Sequence, residues 1–238
     1  MAKGLFITGT DTGVGKTWVG AGLIALFKER GFDMGVMKPV ESGCRRENGR
    51  LIPEDATLLK EMASSQDEPE IINPYALENA LAPALAAERE GVEIRLEVIN
   101  RAYDLLTSRH DVVIVEGAGG LLAPLFGDYF MADLAKEWGL PLLIVTGAQL
   151  GIINHTLLTL HCARQRGIPV LGIVMNHTTN PKGLAESLNP SALKRWAGAP
   201  FLGTIPFLPS FTKKAIKTAV ENNMNLETIE GLFRRSRE

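Results

Sequence analysis

A doubly wound α/β fold, its mostly parallel sheet covered by helices on both faces, is predicted for this 238-residue chain. Three observations carry that expectation. Short apolar runs recur as unbroken blocks, the pattern of strands buried on both faces. Segments with helical apolar spacing separate those blocks. A glycine-rich turn ending in Gly15-Lys16-Thr17 stands between the first block and the first helical segment.

In chain order, the first strand is Leu5-Phe6-Ile7, followed by a helical stripe of Val19, Leu23, Leu26 and Phe27. Met34 to Met37 forms the next strand. Residues 41–50 are polar and rich in charge and glycine, and read as a long loop. Ile94, Val98, Ala102, Leu105 and Leu106 make a second helical stripe, which leads into the strand Val112-Val113-Ile114-Val115. Leu142-Leu143-Ile144-Val145 is a further strand. Behind it Ile152, Ile153, Thr156, Leu157, Leu160 and Ala163 form a stripe wide enough to be largely buried. Val170-Leu171-Gly172-Ile173-Val174 and Phe201-Leu202-Gly203 complete the strands, with a second loop expected over 176–190. From 212 onward a weak helical period (Leu226, Ile229, Leu232, Phe233) has no assigned place. Repeated strand, helix and strand imply right-handed crossovers and one domain over 1–238.

Composition narrows the function classes. A net charge of -2 with 22% charged residues gives no basic field for nucleic acid. The longest apolar stretches fall well short of a membrane span, and the opening run is too short for a signal-peptide core. Two cysteines, Cys44 and Cys162, are too few for a disulfide framework and suit a reducing compartment. The chain therefore reads as soluble and cytoplasmic, with no nucleic-acid or membrane partner.

The turn Gly9-Thr10-Asp11-Thr12-Gly13-Val14-Gly15-Lys16-Thr17 has the strand-before, helix-after context of a phosphate loop. Its glycines let successive backbone N–H groups point at phosphate oxygens, and the following helix adds its positive end. Lys16 reaches the outer phosphates and the Thr17 hydroxyl can hold magnesium. The usual first glycine of such a loop is here Thr10, with Gly9 one residue earlier. Glu116 ends the strand at 112–115 and is followed by Gly117-Ala118-Gly119-Gly120, so it can face the loop and hold magnesium directly or through water. Asp111, at the other end of that strand, reads as solvated. Lys38 closes a buried strand, an awkward place for an ammonium unless an anion neutralises it. A second lysine there can steady charge on a transferring phosphoryl group. Asp55, at the helix start after that loop, reads either as part of the site or as a helix-start acid answering the dipole. His155 and His161, on an apolar helix with no second ligand at metal spacing, read as packed or hydrogen-bonded.

Taken together, the loop at 8–17, Lys38-Pro39-Val40 with Ser42-Gly43, Val115-Glu116-Gly117-Ala118-Gly119-Gly120 and Gly151-Ile152-Ile153-Asn154-His155 resemble dethiobiotin synthetase. The agreement runs from the first strand to about Phe207 and includes the altered phosphate loop. The resemblance implies a P-loop NTPase-like fold and closure of a cyclic urea. Diaminononanoate, carbon dioxide and ATP become dethiobiotin, ADP and phosphate through a carbamate and its phosphoric anhydride, in biotin biosynthesis. It further implies that Gly13, Val14, Gly15, Lys16, Thr17 and Trp18 bind ATP, with Gly117, Ala118 and Gly119 beside them. Thr17, Asp55 and Glu116 hold magnesium, and Lys38, Lys16 and Thr12 serve catalysis. Thr12 and Ser42 contact the diamine or its carbamate. Asn176 reads the base, walled by Ile205, Pro206 and Phe207. The family is a homodimer, so Gly151, Ile152, Ile153 and Asn154 of a partner subunit would anchor the substrate carboxylate. Ser187 stands where some members place an aromatic hydroxyl.

Two rival readings share such a loop. An amide-forming synthetase of the corrin pathway needs a long glutamine-hydrolysing domain, for which 238 residues leave no room. Switch ATPases of the partition or septum-site type carry a lysine five residues before the loop lysine, where this chain has Asp11.

Overall fold

The computed structural model describes residues 4–180 and 183–235. The first part of the chain forms β1 (Gly4–Gly9), α1 (Lys16–Glu29), β2 (Met34–Met37), β3 (Val40–Ser42), β4 (Arg45–Glu47), β5 (Arg50–Ile52), α2 (Glu54–Ala63) and α3 (Pro69–Ile72). The middle forms β6 (Tyr75–Leu77), α4 (Pro83–Glu90), α5 (Leu96–Arg109), β7 (Val112–Gly120), β8 (Pro124–Phe126), β9 (Tyr129–Phe130) and α6 (Met131–Glu137). Then come β10 (Leu142–Thr146), α7 (Ile152–Gln165), β11 (Val170–Asn176), α8 (Leu184–Trp196), β12 (Phe201–Ile205), α9 (Lys213–Asn223) and α10 (Glu227–Arg235). No helix among the described residues is long and apolar enough to cross a membrane.

The six expected strands pair in one sheet, in the order β12-β11-β10-β1-β7-β2, and every pairing is parallel. Their unbroken apolar runs follow from burial on both faces, since neighbouring residues point opposite ways. Leu5 and Ile7 of β1, Val112 and Ile114 of β7 and Leu143 of β10 enter one core, under α1, α2, α9 and α10. Phe6, Val113, Val115 and Leu142 enter the other, under α5, α6, α7 and α8. The chain fills the β7–β2 side of β1 first and the β10–β12 side afterwards. The direction of winding thus reverses at β1, and in such sheets ligands bind off the carboxyl ends of the strands at that reversal.

Several local expectations are corrected. The segment 41–50 is not a loop throughout: β3 pairs with β6, and β4 with β5 form a hairpin. Its turn is Asn48-Gly49, with φ 49 and 81, a left-handed pair that suits a two-residue hairpin. Of 176–190, Asn176 ends β11 and α8 begins at Leu184 with Pro190 inside it; residues 181–182 of that expected loop lie outside the described residues. On α5 the buried face is Ile99, Ala102, Tyr103 and Leu106, while Val98 and Leu105 are exposed. On α7 only Ile152, Thr156, Leu160 and Ala163 are buried, a narrower stripe than expected. The weakly periodic tail is α9 and α10. Phe233 lies edge-on to Phe27 at 4.8 Å, with Leu226 and Ile229 buried beside it.

At the end of the sheet opposite the phosphate loop, His110 sits between two carboxylates. Its Nδ1 is 3.0 Å from Asp33 and its Nε2 2.8 Å from Asp67, while Arg109 donates to Asp67 at 2.8 Å. Burial works against the charged imidazole, but the bonds to Asp33 and Asp67 outweigh it and raise the His110 pKa. A raised folded-state value means the stabilisation is full below the ordinary histidine pKa of about 6.5. It is lost as pH rises through the higher folded value. Urea unfolding of His110→Gln against the parent should show a larger stability gap near pH 6 than near pH 9. An equal gap at both pH values would remove the ionised pairing.

Candidate active site

The loop at 10–15 leaves the carboxyl end of β1, tied down by the Thr10 N–H bonding to the Val145 carbonyl at 3.0 Å. Gly15 has φ 88, and a Cβ there would lie 2.1 Å from Nδ2 of Asn176. Both facts demand glycine. Asn176, arriving from the end of β11, donates Nδ2 to the Val14 carbonyl at 3.0 Å, so it braces the loop from behind. α1 begins at Lys16 with no side-chain cap. Its first-turn N–H groups and the positive end of its dipole are therefore available to an anion.

Four charged groups meet over this loop. Lys16 is buried and its Nζ donates to the Asp11 carbonyl at 3.1 Å; burial pushes its pKa down to about 8. Lys38, 4% exposed, closes β2 and its ammonium is shared between Oδ2 of Asp55 at 2.8 Å and Oε1 of Glu116. Burial alone would lower the Lys38 pKa, yet the charges of Glu116 and Asp55 reverse this and raise it. Burial would likewise raise Asp55, and the Lys38 ammonium more than offsets that, holding the carboxyl below its usual range. The Thr17 hydroxyl donates to the same Glu116 Oε1 at 2.9 Å. Glu116 is fully buried, and among the described residues its Oε2 has no hydrogen-bond partner.

These groups line a cleft of about 590 Å³. Thr12, Gly13, Gly15, Trp18, Ser42, Ala118 and Gly119 share its walls with them. Ser42 donates its hydroxyl to the Leu81 carbonyl at 2.7 Å, leaving its oxygen free to accept from an amine. Beside the cleft a cavity of about 140 Å³ is lined by Gly13, Trp18, Asn176, Ile205 and Pro206. Two expected residues lie off these walls: Gly117 stands against Phe6, and Phe207 is half-buried. Val14 turns its side chain into a core and keeps its backbone in the loop. In place of Phe207 the wall is Leu208 and Phe211, and the Phe211 ring stacks on Trp18 at 4.1 Å. Gly151, Ile152, Ile153 and Asn154 open α7 and line neither cavity of their own chain. Ser187 bonds to the Leu184 carbonyl within α8.

The donors gathered here suit a hard cation. Thr17, Asp55 and Glu116 offer only oxygen, the preference of magnesium. The Lys38 ammonium already occupies the space between the two carboxylates as a resident cation, and Glu116 Oε2 has coordination to spare. Among the described residues no three His, Cys, Asp or Glu converge. A metal here would complete its shell with phosphate oxygens and water, the usual habit of magnesium.

Two contributors carried no role in the sequence reading. Asn73 donates Nδ2 to the Lys38 carbonyl at 2.7 Å, and nothing in its neighbourhood of the sequence signals that long-range bond. Glu41 accepts from the backbone N–H groups of Asp55 and Ala56, each at 2.9 Å. An acid inside the Lys38-Pro39-Val40-Glu41-Ser42 block was its one visible signal. Cys44, buried in the same region, has its thiol pushed up to about 12 by burial and donates it to the Glu41 carbonyl at 3.4 Å.

Comparison with known proteins follows the same lines. Residues 3–215 match the family model described as an AAA domain. The chain is 40% identical to the ATP-dependent dethiobiotin synthetase BioD of Thermodesulfovibrio yellowstonii over 240 residues, covering 98% of this chain and all of that one. It is 42% identical to the enzyme of the same name from Bacillus licheniformis over 227 residues, 95% of each. Among solved structures, the MinD cell division protein of Aquifex aeolicus aligns with TM-score 0.51 at 14% identity, covering 93% of this chain and 96% of that one. At that identity the likeness concerns the fold alone.

Proposed function

This chain belongs to the ATP-dependent dethiobiotin synthetase family, and from that membership we propose how its cleft performs the family's ligation. The activity is ATP-dependent formation of dethiobiotin in biotin biosynthesis. One amine of diaminononanoate captures carbon dioxide as a carbamate. A carbamate oxygen then bonds to the γ-phosphorus as the bond to ADP breaks. The second amine attacks the carbamate carbon, phosphate leaves, and the urea ring closes.

Each step sets a demand that named residues can meet. Carbamate and triphosphate are both anionic, so their approach needs cations, and Lys16 and Lys38 stand on the cleft wall. Backbone N–H groups from Gly13 to Thr17 hold the phosphates, and Ser42 and Thr12 accept from or donate to the diamine and its carbamate. Thr17, Asp55 and Glu116 would hold magnesium, which neutralises phosphate charge when bound. With Asp55 and Glu116 turned to such a cation, the Lys38 ammonium they now share would be available to the transferring phosphoryl group. The base enters the cavity beside Asn176. No covalent nucleophile is called for; positioning and electrostatic stabilisation supply the rate. The observation that carries this reading is the convergence of Lys16, Thr17, Lys38, Asp55 and Glu116 on one cleft.

The reading extends to one domain over 1–238, a cytoplasmic setting and a homodimer. The start of α7 has no side-chain cap and its positive end attracts a carboxylate; since residues 151–154 do not line the cleft of their own chain, that role falls to a partner subunit. Phosphate release should require diamine, bicarbonate and ATP together. Turnover of ATP that persists without the diamine would replace the ligase by a switch ATPase. Sedimentation should give a dimer, and an active monomer would end the shared site.

A further inference from the structure

Glu41 stands beside the cleft yet spends both carboxylate oxygens on backbone. Oε1 accepts from the Asp55 N–H and Oε2 from the Ala56 N–H, each at 2.9 Å. Those are the second and third residues of α2, a helix whose own preceding residue, Pro53, offers no side-chain cap. Glu41 is 7% exposed and lies in β3, where it is registered against Ala76 of β6. The carbonyl of Lys38, three residues earlier, is fixed by Asn73. One short segment thus presents the ammonium of Lys38 and the carboxylate that grips the start of α2. Asp55, whose side chain remains 43% exposed to the cleft, is held from behind by that grip.

We infer that Glu41 is a positioning residue for the cation site, setting where the Asp55 carboxylate stands relative to Thr17 and Glu116. The inference rests on the reading of Asp55 as a magnesium ligand. Two bonds from adjacent amides, one to each carboxylate oxygen, fix orientation as well as position. Groups that orient a metal ligand from behind typically change metal affinity about 10–100-fold when removed. Glutamine at this position keeps one acceptor oxygen and turns an amide NH₂ toward the other backbone N–H, so it loosens the grip without opening a cavity.

The experiment titrates magnesium calorimetrically into each protein saturated with ADP, and separately follows hydrogen exchange at the Asp55 and Ala56 amides in the ligand-free chain. Glu41→Gln should weaken magnesium binding about tenfold, speed exchange at both amides, and leave kcat at saturating magnesium within about twofold of the parent. Asp55→Asn should weaken binding at least as much. Ala63→Gly, which loosens α2 from its far end, should lower thermal stability and leave magnesium affinity unchanged. If Asp55→Asn weakens binding and Glu41→Gln does not, the positioning role is overturned while Asp55 keeps its place. Should Ala63→Gly weaken binding as much as Glu41→Gln, general helix stability explains the effect and the inference is lost. Unchanged affinity in Asp55→Asn would remove the ligand itself, and the positioning role with it.

Discussion

Lys38→Ala is expected to lower ATP-dependent turnover at least about a hundredfold, the scale on which a lost electrostatic stabiliser acts. The ligand-free protein should also lose stability. Glu116 is wholly buried and Lys38 is its only ionic partner among the described residues. Removing one member of a buried pair typically costs about 3–5 kcal/mol, because the other is left uncompensated. The two losses separate on adding magnesium with a non-hydrolysable ATP analogue. A bound metal would neutralise Glu116 and Asp55 in place of the ammonium, so unfolding should move back toward the parent while turnover stays low. Phosphate release and urea unfolding, with and without metal and analogue, check both halves. Turnover near that of the parent would take Lys38 out of the chemistry.

Glu116→Gln should cost as much in turnover, and it should behave oppositely toward metal. The change keeps the side chain's shape but leaves the Lys38 ammonium with Asp55 alone, and Asp55 is partly open to solvent. The ligand-free chain should again lose a few kcal/mol, about the scale of a broken buried pair. Magnesium cannot repair this variant, because the lost group is itself one of the proposed ligands. Its stability should stay low at magnesium concentrations that restore Lys38→Ala, and its magnesium requirement for turnover should rise. A magnesium requirement equal to that of the parent would exclude Glu116 from the cation site.

The central sheet was legible because its strands are buried on both faces, which leaves unbroken runs such as Val112 to Val115. The phosphate loop was legible because backbone geometry there depends on particular residues, Gly15 above all. What escaped notice depends on contacts distant in sequence or on marginal patterning. The hairpin β4–β5 carried its Asn48-Gly49 turn in plain view, but the flanking Arg45, Arg46, Glu47 and Arg50 gave no apolar alternation. On α5 the exposed Val98 and Leu105 were as apolar as the buried Ile99 and Leu106, so residue type alone could not fix the helix phase. Leu208 and Phe211 follow the last strand of the sheet, and only the fold of the segment between β12 and α9 turns them to the small cavity. Glu41 was hidden for another reason. A carboxylate that bonds backbone amides leaves no complementary side chain to be found.

The stack of Phe211 on Trp18 gives the protein a built-in optical probe. The indole sits at the boundary of the two cavities, one ring-thickness from a segment that begins where the sheet ends. The other two tryptophans are set apart from it: Trp138 is sandwiched against Tyr103 and Trp196 faces solvent on α8. Emission from the first indole should therefore shift when a nucleotide fills the proposed site, without any label having to be attached.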